Sequence, residues 1–293
     1  MLIDYDLPLW RPPSEADSFI LQATLGCSFN HCSFCSMYRT KSFAIRPLAQ
    51  VQTDIQTMAR ACPSTQRVFL ADGDALAAPT DYLLTILENL RAAFPRLERV
   101  SSYALPANLL KKSVDELTQL READLTLLYY GIETGSADLL KRITKGATPE
   151  AMITGLTKAK QAGLKISATV ILGLGGQAYW QEHIDATAKL VNQVELDYLS
   201  TLQLMLDPTI YDEFHRKFRE PFQQQDDRAL LAEQARLIER LNPPAPLTFR
   251  SNHASNALAL AGELPKDRKR LLAQLELALA GGVRLRPEWL RGY

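Results

Sequence analysis

Residues 125–132 read LTLLYYGI, and this run decides the fold class. Its apolar residues do not alternate with polar ones, so the strand is expected to be buried on both faces, as in a parallel sheet flanked by helices. Upstream of it, DELTQLREA has a helical pattern. Downstream, the exit Gly131-Ile132-Glu133-Thr134-Gly135-Ser136 leads into ADLLKRITKGATPE, and Thr148-Pro149-Glu150 gives a hydroxyl cap and a first-turn proline for a further helix. Five other segments read as strands: SFILQATL (18–25), RVFLA (67–71), LERVSSYAL (97–105), LKISATVILGLGG (164–176) and LDYLSTLQLML (196–206). The intervals between the six strands are long enough for crossover helices, which predicts repeated β–α units. Six units are too few to close an eight-unit barrel. The expected architecture is α/β: a lead-in at 1–17, a partial (βα)6 TIM-like barrel at 18–206, and a helical C-terminal extension at 207–293 that packs on it.

Composition narrows the function. Lys plus Arg and Asp plus Glu number 33 each, so no global pull toward nucleic acid or an anionic membrane is expected. The opening MLIDYDLPLWRPPSEAD carries acids and prolines where a secretory leader needs a basic end and an apolar run, and no apolar stretch reaches the roughly 20 residues of a membrane span. These features predict a cytoplasmic protein. Trp10 reads as a cover for one end of the core.

The chemistry concentrates in residues 26–38, GCSFNHCSFCSMY, which follow the first strand. Cys27, Cys32 and Cys35 lie within nine residues of one another, and an odd triplet does not pair off as disulfides. Soft thiolates suit zinc or an iron–sulfur centre. Structural zinc takes four closed ligands, and only His31 is at hand as a fourth. A cubane held by three cysteines leaves one iron open, as a catalytic centre requires. Cys62, at the end of the helix LAQVQTDIQTMARAC, reads as a small core residue. Cys27, Asp74, Glu133 and Gly173 each follow the C-terminal end of a different strand, the rim at which barrel enzymes build their active sites.

The cysteine triplet, with Phe34 immediately before its last member, resembles the radical SAM superfamily. Its CX4CX2C spacing has one residue more in the first gap than the commonest pattern. The fourth-strand passage is similar to the branch containing methylthiotransferases and oxygen-independent coproporphyrinogen oxidases. The resemblance implies a [4Fe–4S] cluster on Cys27, Cys32 and Cys35 whose open iron chelates S-adenosylmethionine. It further implies that Asp74 of Asp72-Gly73-Asp74 binds the methionine ammonium, that Glu133 contacts the ribose hydroxyls, that Ser136 lies beside the cofactor, and that Lys145 meets its carboxylate. Ile171 and Gly173 are implied to pack on the adenine. The plainer readings are an Asp-Gly turn, an exposed loop acid and a C-terminal helix cation. Gly173, Gly175 and Gly176 do not follow the dinucleotide-binding order.

On the substrate side, Tyr103 and the segment TFRSNHASN, with Arg250, Asn252 and His253, are candidates, although the segment also reads as a self-stabilised connector. His183 reads as solvated. The resemblance implies reductive cleavage of S-adenosylmethionine to a 5′-deoxyadenosyl radical, an external flavodoxin- or ferredoxin-like electron donor, and hydrogen abstraction from an unspecified small-molecule or peptide substrate. Two rivals stand beside it: a tRNA-modifying enzyme, and an iron–sulfur electron carrier or zinc-stabilised binding protein without turnover.

Overall fold

The structure is a computed structural model that describes residues 3–292. The described strands are β1 (Phe19–Gln22), β2 (Thr24–Leu25), β3 (Ala44–Ile45), β4 (Arg67–Ala71), β5 (Arg99–Ala104), β6 (Leu125–Glu133), β7 (Lys165–Leu172), β8 (Tyr198–Gln203), β9 (Leu247–Arg250) and β10 (Ala261–Leu264). The helices are α1 (Leu48–Ala61), α2 (Thr80–Ala93), α3 (Pro106–Lys111), α4 (Val114–Glu122), α5 (Ala137–Arg142), α6 (Pro149–Gln161), α7 (Gly176–Val191), α8 (Tyr211–Phe218), α9 (Asp227–Arg240) and α10 (Arg268–Leu279). The principal sheet is eight-stranded and mostly parallel, in the order β1-β4-β5-β6-β7-β8-β9-β10, while β2 and β3 form a separate two-stranded ladder. The chain divides into two compact units.

The first unit comprises residues up to 30, 35–130 and 158–166. In it β1, β4, β5 and β6 run parallel, with Ile20 opposite Phe69, Val68 opposite Val100, and Ser101 opposite Leu127 after a register shift at Val100/Ser101. Residues 68–71 of β4 are buried without alternation, and β6 is buried along nearly all its length, as LTLLYYGI predicts. Leu83, Ile86, Leu87 and Leu90 of α2 recur at helical spacing and are all buried. The lead-in is tied down: the Tyr5 hydroxyl donates to Ile20 O (2.8 Å), and the half-buried Trp10 donates from Nε1 to Met37 O (3.0 Å).

The second unit comprises residues 31–34, 131–157 and 167–292. Here β7, β8 and β9 run parallel, and β10 returns antiparallel to β9. Leu139, Ile143, Leu174, Leu204, Phe214 and Phe218 form an apolar cluster, with Phe34 and Ile171 packed against it.

Two expectations are corrected. The extension beyond 207 has the expected helices, but part of the segment read as a connector is strand: Leu247 and Phe249 are buried and Leu199 pairs with Phe249. Residues 18–25 are not one strand, because the chain breaks at Ala23, whose N–H donates to Ala71 O (2.8 Å), before continuing as β2. Phe249→Ala is expected to destabilise the protein by about 3–5 kcal/mol in urea unfolding. A change within about 0.5 kcal/mol, the range of a surface position, would mean that β9 is not core.

Candidate functional site

In the first unit, residues 26–30 and 35–43 carry neither helix nor strand and are bracketed by β2 and β3, with Thr24 opposite Ile45 and Leu25 opposite Ala44. Cys27 and Cys35 of this loop are half-buried, and no cysteine among the described residues is in a disulfide. The loop meets the exit of β4 through a hydrogen bond from Gly73 N–H to Gly26 O (3.0 Å). Only glycine fits at 73, since a Cβ there would stand 2.6 Å from the Tyr38 ring and 3.1 Å from Cys27 Cβ. The Tyr38 ring is buried and its hydroxyl finds no hydrogen-bond partner among the described residues. Burial, then neighbouring Tyr103 and Asp72, push that hydroxyl far above its ordinary value, so it stays protonated.

Asp74 is fully buried. Its Oδ2 accepts the Ser28 hydroxyl, while Oδ1 has no partner among the described residues. Burial raises its carboxyl to about 6, with Ser28 and the neighbouring Asn108 side chain opposing the rise. A buried carboxylate oxygen without a donor is suited to a cationic ligand, because a charge-assisted hydrogen bond offsets the cost of burial. Tyr103 is half-buried, edge-on to Phe69 with centroids 5.1 Å apart, and burial again pushes its hydroxyl up. Asn108 caps α3 by accepting Leu105 N–H (2.7 Å).

In the second unit, Cys32 is half-buried, and Ser33 beside it donates its N–H to Ile143 O (2.9 Å). Glu133 and Lys145 are both buried and bonded to each other at 2.7 Å. Glu133 is therefore not an exposed loop acid. It adopts a positive φ of 63°, and Gly131 makes room for the pair, since a Cβ at 131 would fall 1.9 Å from Glu133 Oε1. Ser136 caps α5 by accepting Leu139 N–H and donates to Glu182 (2.7 Å). The Lys145 ammonium stands 5.9 Å from the Phe34 ring centroid.

His183 is fully buried, which corrects its reading as solvated. Its Nε2–H donates to Ile171 O (2.9 Å), since a carbonyl can only accept, and Nδ1 accepts the Thr134 hydroxyl (2.8 Å). Burial lowers it to about 4, keeping the ring neutral. The buried Glu233 reaches Gly173 from α9: its Oε1 accepts Gly173 N–H (2.8 Å) and lies 3.4 Å from His183 Nε2. Burial raises this carboxyl to about 8. Gly173 has φ +83°, and a Cβ there would meet Leu230 at 2.9 Å. The exit of β7 is thus fixed by two residues that the reading of the sequence did not select.

The remaining candidates are held in their own surroundings. The Arg250 guanidinium stacks over Tyr198 at 5.2 Å, His253 Nδ1 accepts from Ser255 N–H (3.1 Å), and Asn252 is exposed. Cys62 is exposed at the C-terminal cap of α1, which corrects its reading as a core residue: Pro63 follows it in the turn between α1 and β4. Among the described residues no three His, Cys, Asp or Glu side chains gather around the volume of a single metal ion. A cubane takes one thiolate per iron and sets its ligands wider apart than a mononuclear site does. Loop thiols outside any disulfide, the partnerless Asp74 oxygen and the side-chain-free position 73 fit a cluster with an ammonium-bearing ligand.

The two buried groups beside Gly173 predict opposite pH dependences. His183 has its value lowered from 6.5, so folding stability falls as pH drops from about 6.5 toward about 4. Glu233 has its value raised from 4.5 to about 8, so across that window the unfolded chain gives up its proton first and stability falls as pH rises. Urea midpoints measured from pH 5 to 8 are expected to fall less with pH in Glu233→Gln than in the wild type. The difference in slope approaches, at most, about 1.4 kcal/mol per pH unit. Equal slopes would mean that Glu233 is ionised throughout.

Among the described residues no helix is long and apolar enough to cross a membrane. The sequence matches the Radical SAM superfamily over residues 21–191. Among curated proteins it is 23% identical over 173 residues to the heme chaperone HemW of Bacillus subtilis, covering 58% of this chain and 45% of that protein. It is 26% identical over 226 residues to a putative methylthiotransferase of Methanocaldococcus jannaschii, covering 72% of this chain and 45% of that one. The chain therefore spans about half the length of these relatives. Its fold is similar to that of coproporphyrinogen III oxidase (HemN) from Escherichia coli, a radical SAM enzyme, with a TM-score of 0.52 and 16% identity over 90% of this chain and 52% of that one. With the family match spanning more than half of its length, this chain belongs to the radical SAM superfamily, whose members use a [4Fe–4S] cluster and S-adenosylmethionine.

Proposed function

We propose that the protein is a radical SAM enzyme in which Cys27, Cys32 and Cys35 hold the cluster and Asp74 takes the ammonium of S-adenosylmethionine. The observation that carries this reading is the pairing of a strand-exit cysteine loop with a buried carboxylate oxygen that lacks a partner among the described residues. When bound, the cluster and S-adenosylmethionine supply reductive cleavage of the sulfonium to methionine and a 5′-deoxyadenosyl radical, with one electron from a flavodoxin- or ferredoxin-like donor.

The chain's own residues bind and orient. Ser28 fixes Oδ2 of Asp74 and leaves Oδ1 to the ligand, and glycine at 73 allows close approach. Glu133 serves the ribose hydroxyls and Lys145 the carboxylate, and the two are held together as an ion pair. Ser136 stands beside the cofactor, and Ile171 and Gly173 meet the adenine. His183 and Glu233 hold the Ile171 carbonyl and the Gly173 amide. Tyr103 in the first unit and Arg250, Asn252 and His253 in the second are the substrate-side candidates, for a small molecule or peptide.

A second reading, RNA modification, draws support from the methylthiotransferase likeness. Retention of bulk tRNA in a filter-binding test, declining with salt, would establish it. The balanced charge predicts no retention.

Anaerobically reconstituted protein given dithionite and S-adenosylmethionine is expected to form 5′-deoxyadenosine, detected by liquid chromatography and mass spectrometry. Alanine at Cys27, Cys32 or Cys35 is expected to abolish both cluster and product, and retained cleavage in any one variant would remove that cysteine from the ligand set. Asp74→Asn is expected to keep its iron but to bind S-adenosylmethionine roughly 10–100-fold more weakly by equilibrium dialysis, the loss of one charge-assisted hydrogen bond. Unchanged affinity would mean that Asp74 does not take the ammonium.

A further inference from the structure

Asp72 immediately precedes the Gly73-Asp74 pair, and as a sequence feature it is only part of a turn. In the structure it is fully buried and its two oxygens take three donors. Oδ1 accepts Gln22 Nε2 (2.9 Å), while Oδ2 accepts both Gly26 N–H (2.9 Å) and the Lys41 ammonium (2.9 Å). Gly26 stands one residue before Cys27, and Lys41 six residues after Cys35. One carboxylate therefore grips the cysteine loop where it leaves β2 and again where it returns toward β3.

The surrounding contacts strengthen the grip. The Lys41 side chain is itself largely covered and bonds Asp6 Oδ1 (2.8 Å). Its N–H donates to Tyr38 O (3.0 Å), and Asn30 Nδ2 donates to the same carbonyl (2.8 Å). Asp72 N–H donates to Thr24 O (3.1 Å) and Gly73 N–H to Gly26 O (3.0 Å), so the exit of β4 is fastened to the loop's base on both sides of the Asp72 side chain. Gly26 has φ +66°, and a Cβ there would lie 3.2 Å from Ser42 O, which shows how closely the two ends of the loop approach each other.

We infer that Asp72 is a positioning residue for the cluster loop: with Lys41 and Gly26 it clamps both ends of residues 26–41, holding the loop closed before any cofactor arrives. The physical basis is the entropy of loop closure, which buried charge-assisted hydrogen bonds at the two ends offset in advance. The clamp rests on the cysteine-loop reading for its purpose but not for its existence, which the contacts of Asp72 with Gln22, Gly26 and Lys41 carry.

Hydrogen exchange on the protein without its cluster tests the clamp directly. In Asp72→Asn, peptides spanning residues 26–41 are expected to exchange at least tenfold faster than in the wild type, while a peptide from β5 exchanges at the wild-type rate. The reconstituted variant is also expected to lose iron to a chelator several-fold faster, followed by its iron–sulfur absorbance. Because Asp72→Asn leaves Lys41 less well paired, the double variant Asp72→Asn, Lys41→Met removes both charges together. It is expected to fold as the wild type does and still to show the fast loop, and it decides the matter if the single variant does not fold. Loop exchange within twofold of the wild type, or equal acceleration in the loop and in β5, overturns the inference. If the wild type retains no iron and sulfide, the cluster reading fails, while exchange on the protein without cofactor still decides whether Asp72 clamps the loop.

Discussion

A polar or charged group carried into a buried strand exit costs free energy unless it finds a partner, and the sites described above depend on how each such group meets that constraint. The answers differ from residue to residue. Asp72 is saturated, with three donors on two oxygens. Asp74, two residues later, has one satisfied oxygen and one without a partner among the described residues. Glu133 is neutralised by Lys145. Glu233 keeps its proton near neutrality, as its raised value shows. The saturated group serves architecture and the half-satisfied one is available to a ligand, so the state of satisfaction separates two aspartates that look equivalent in sequence.

The strand exits owe their positions to the apolar strands before them. The hydrophobic runs of β4 and β6 bury both faces, which leaves polar residues only at the ends, and the chain spends them there on Asp72, Asp74 and Glu133. The short β2–β3 ladder then converts the exit of β1 into a bracketed loop rather than a free connection. In the second unit α7 and α9 supply His183 and Glu233, which meet at the exit of β7. The region beyond 207 thus contributes a residue to the candidate adenine side as well as bulk.

Six strands, their crossover helices and the three cysteines were legible in the sequence because each has a strong local pattern: unalternating apolar runs, capped periodic segments and close thiol spacing. What was illegible depends on contacts between distant segments. β9 lies behind Pro243, Pro244 and Pro246 and runs into polar Arg250-Ser251-Asn252, so its four residues resemble a connector until Leu199 pairs with Phe249. His183 sits in the polar run QEHIDAT. A signal was present, since His183, Thr187 and Val191 fall on one helical face with Ile184 and Ala188, all buried. Glu233 sits four residues before the buried Leu237 of α9 in the same way. Nothing local distinguishes Asp72 from an ordinary turn residue, and nothing in the composition of α1 marks Cys62 as exposed.

The central claim is that three cysteines leave one iron of the cluster open to S-adenosylmethionine. Electron paramagnetic resonance of the dithionite-reduced, reconstituted protein tests it most directly, with spectra taken before and after S-adenosylmethionine is added. Binding at an open iron predicts a [4Fe–4S]⁺ signal whose g values shift on addition, and whose shift is lost when the cofactor is omitted. A reduced cluster whose spectrum is identical with and without saturating S-adenosylmethionine would contradict the account.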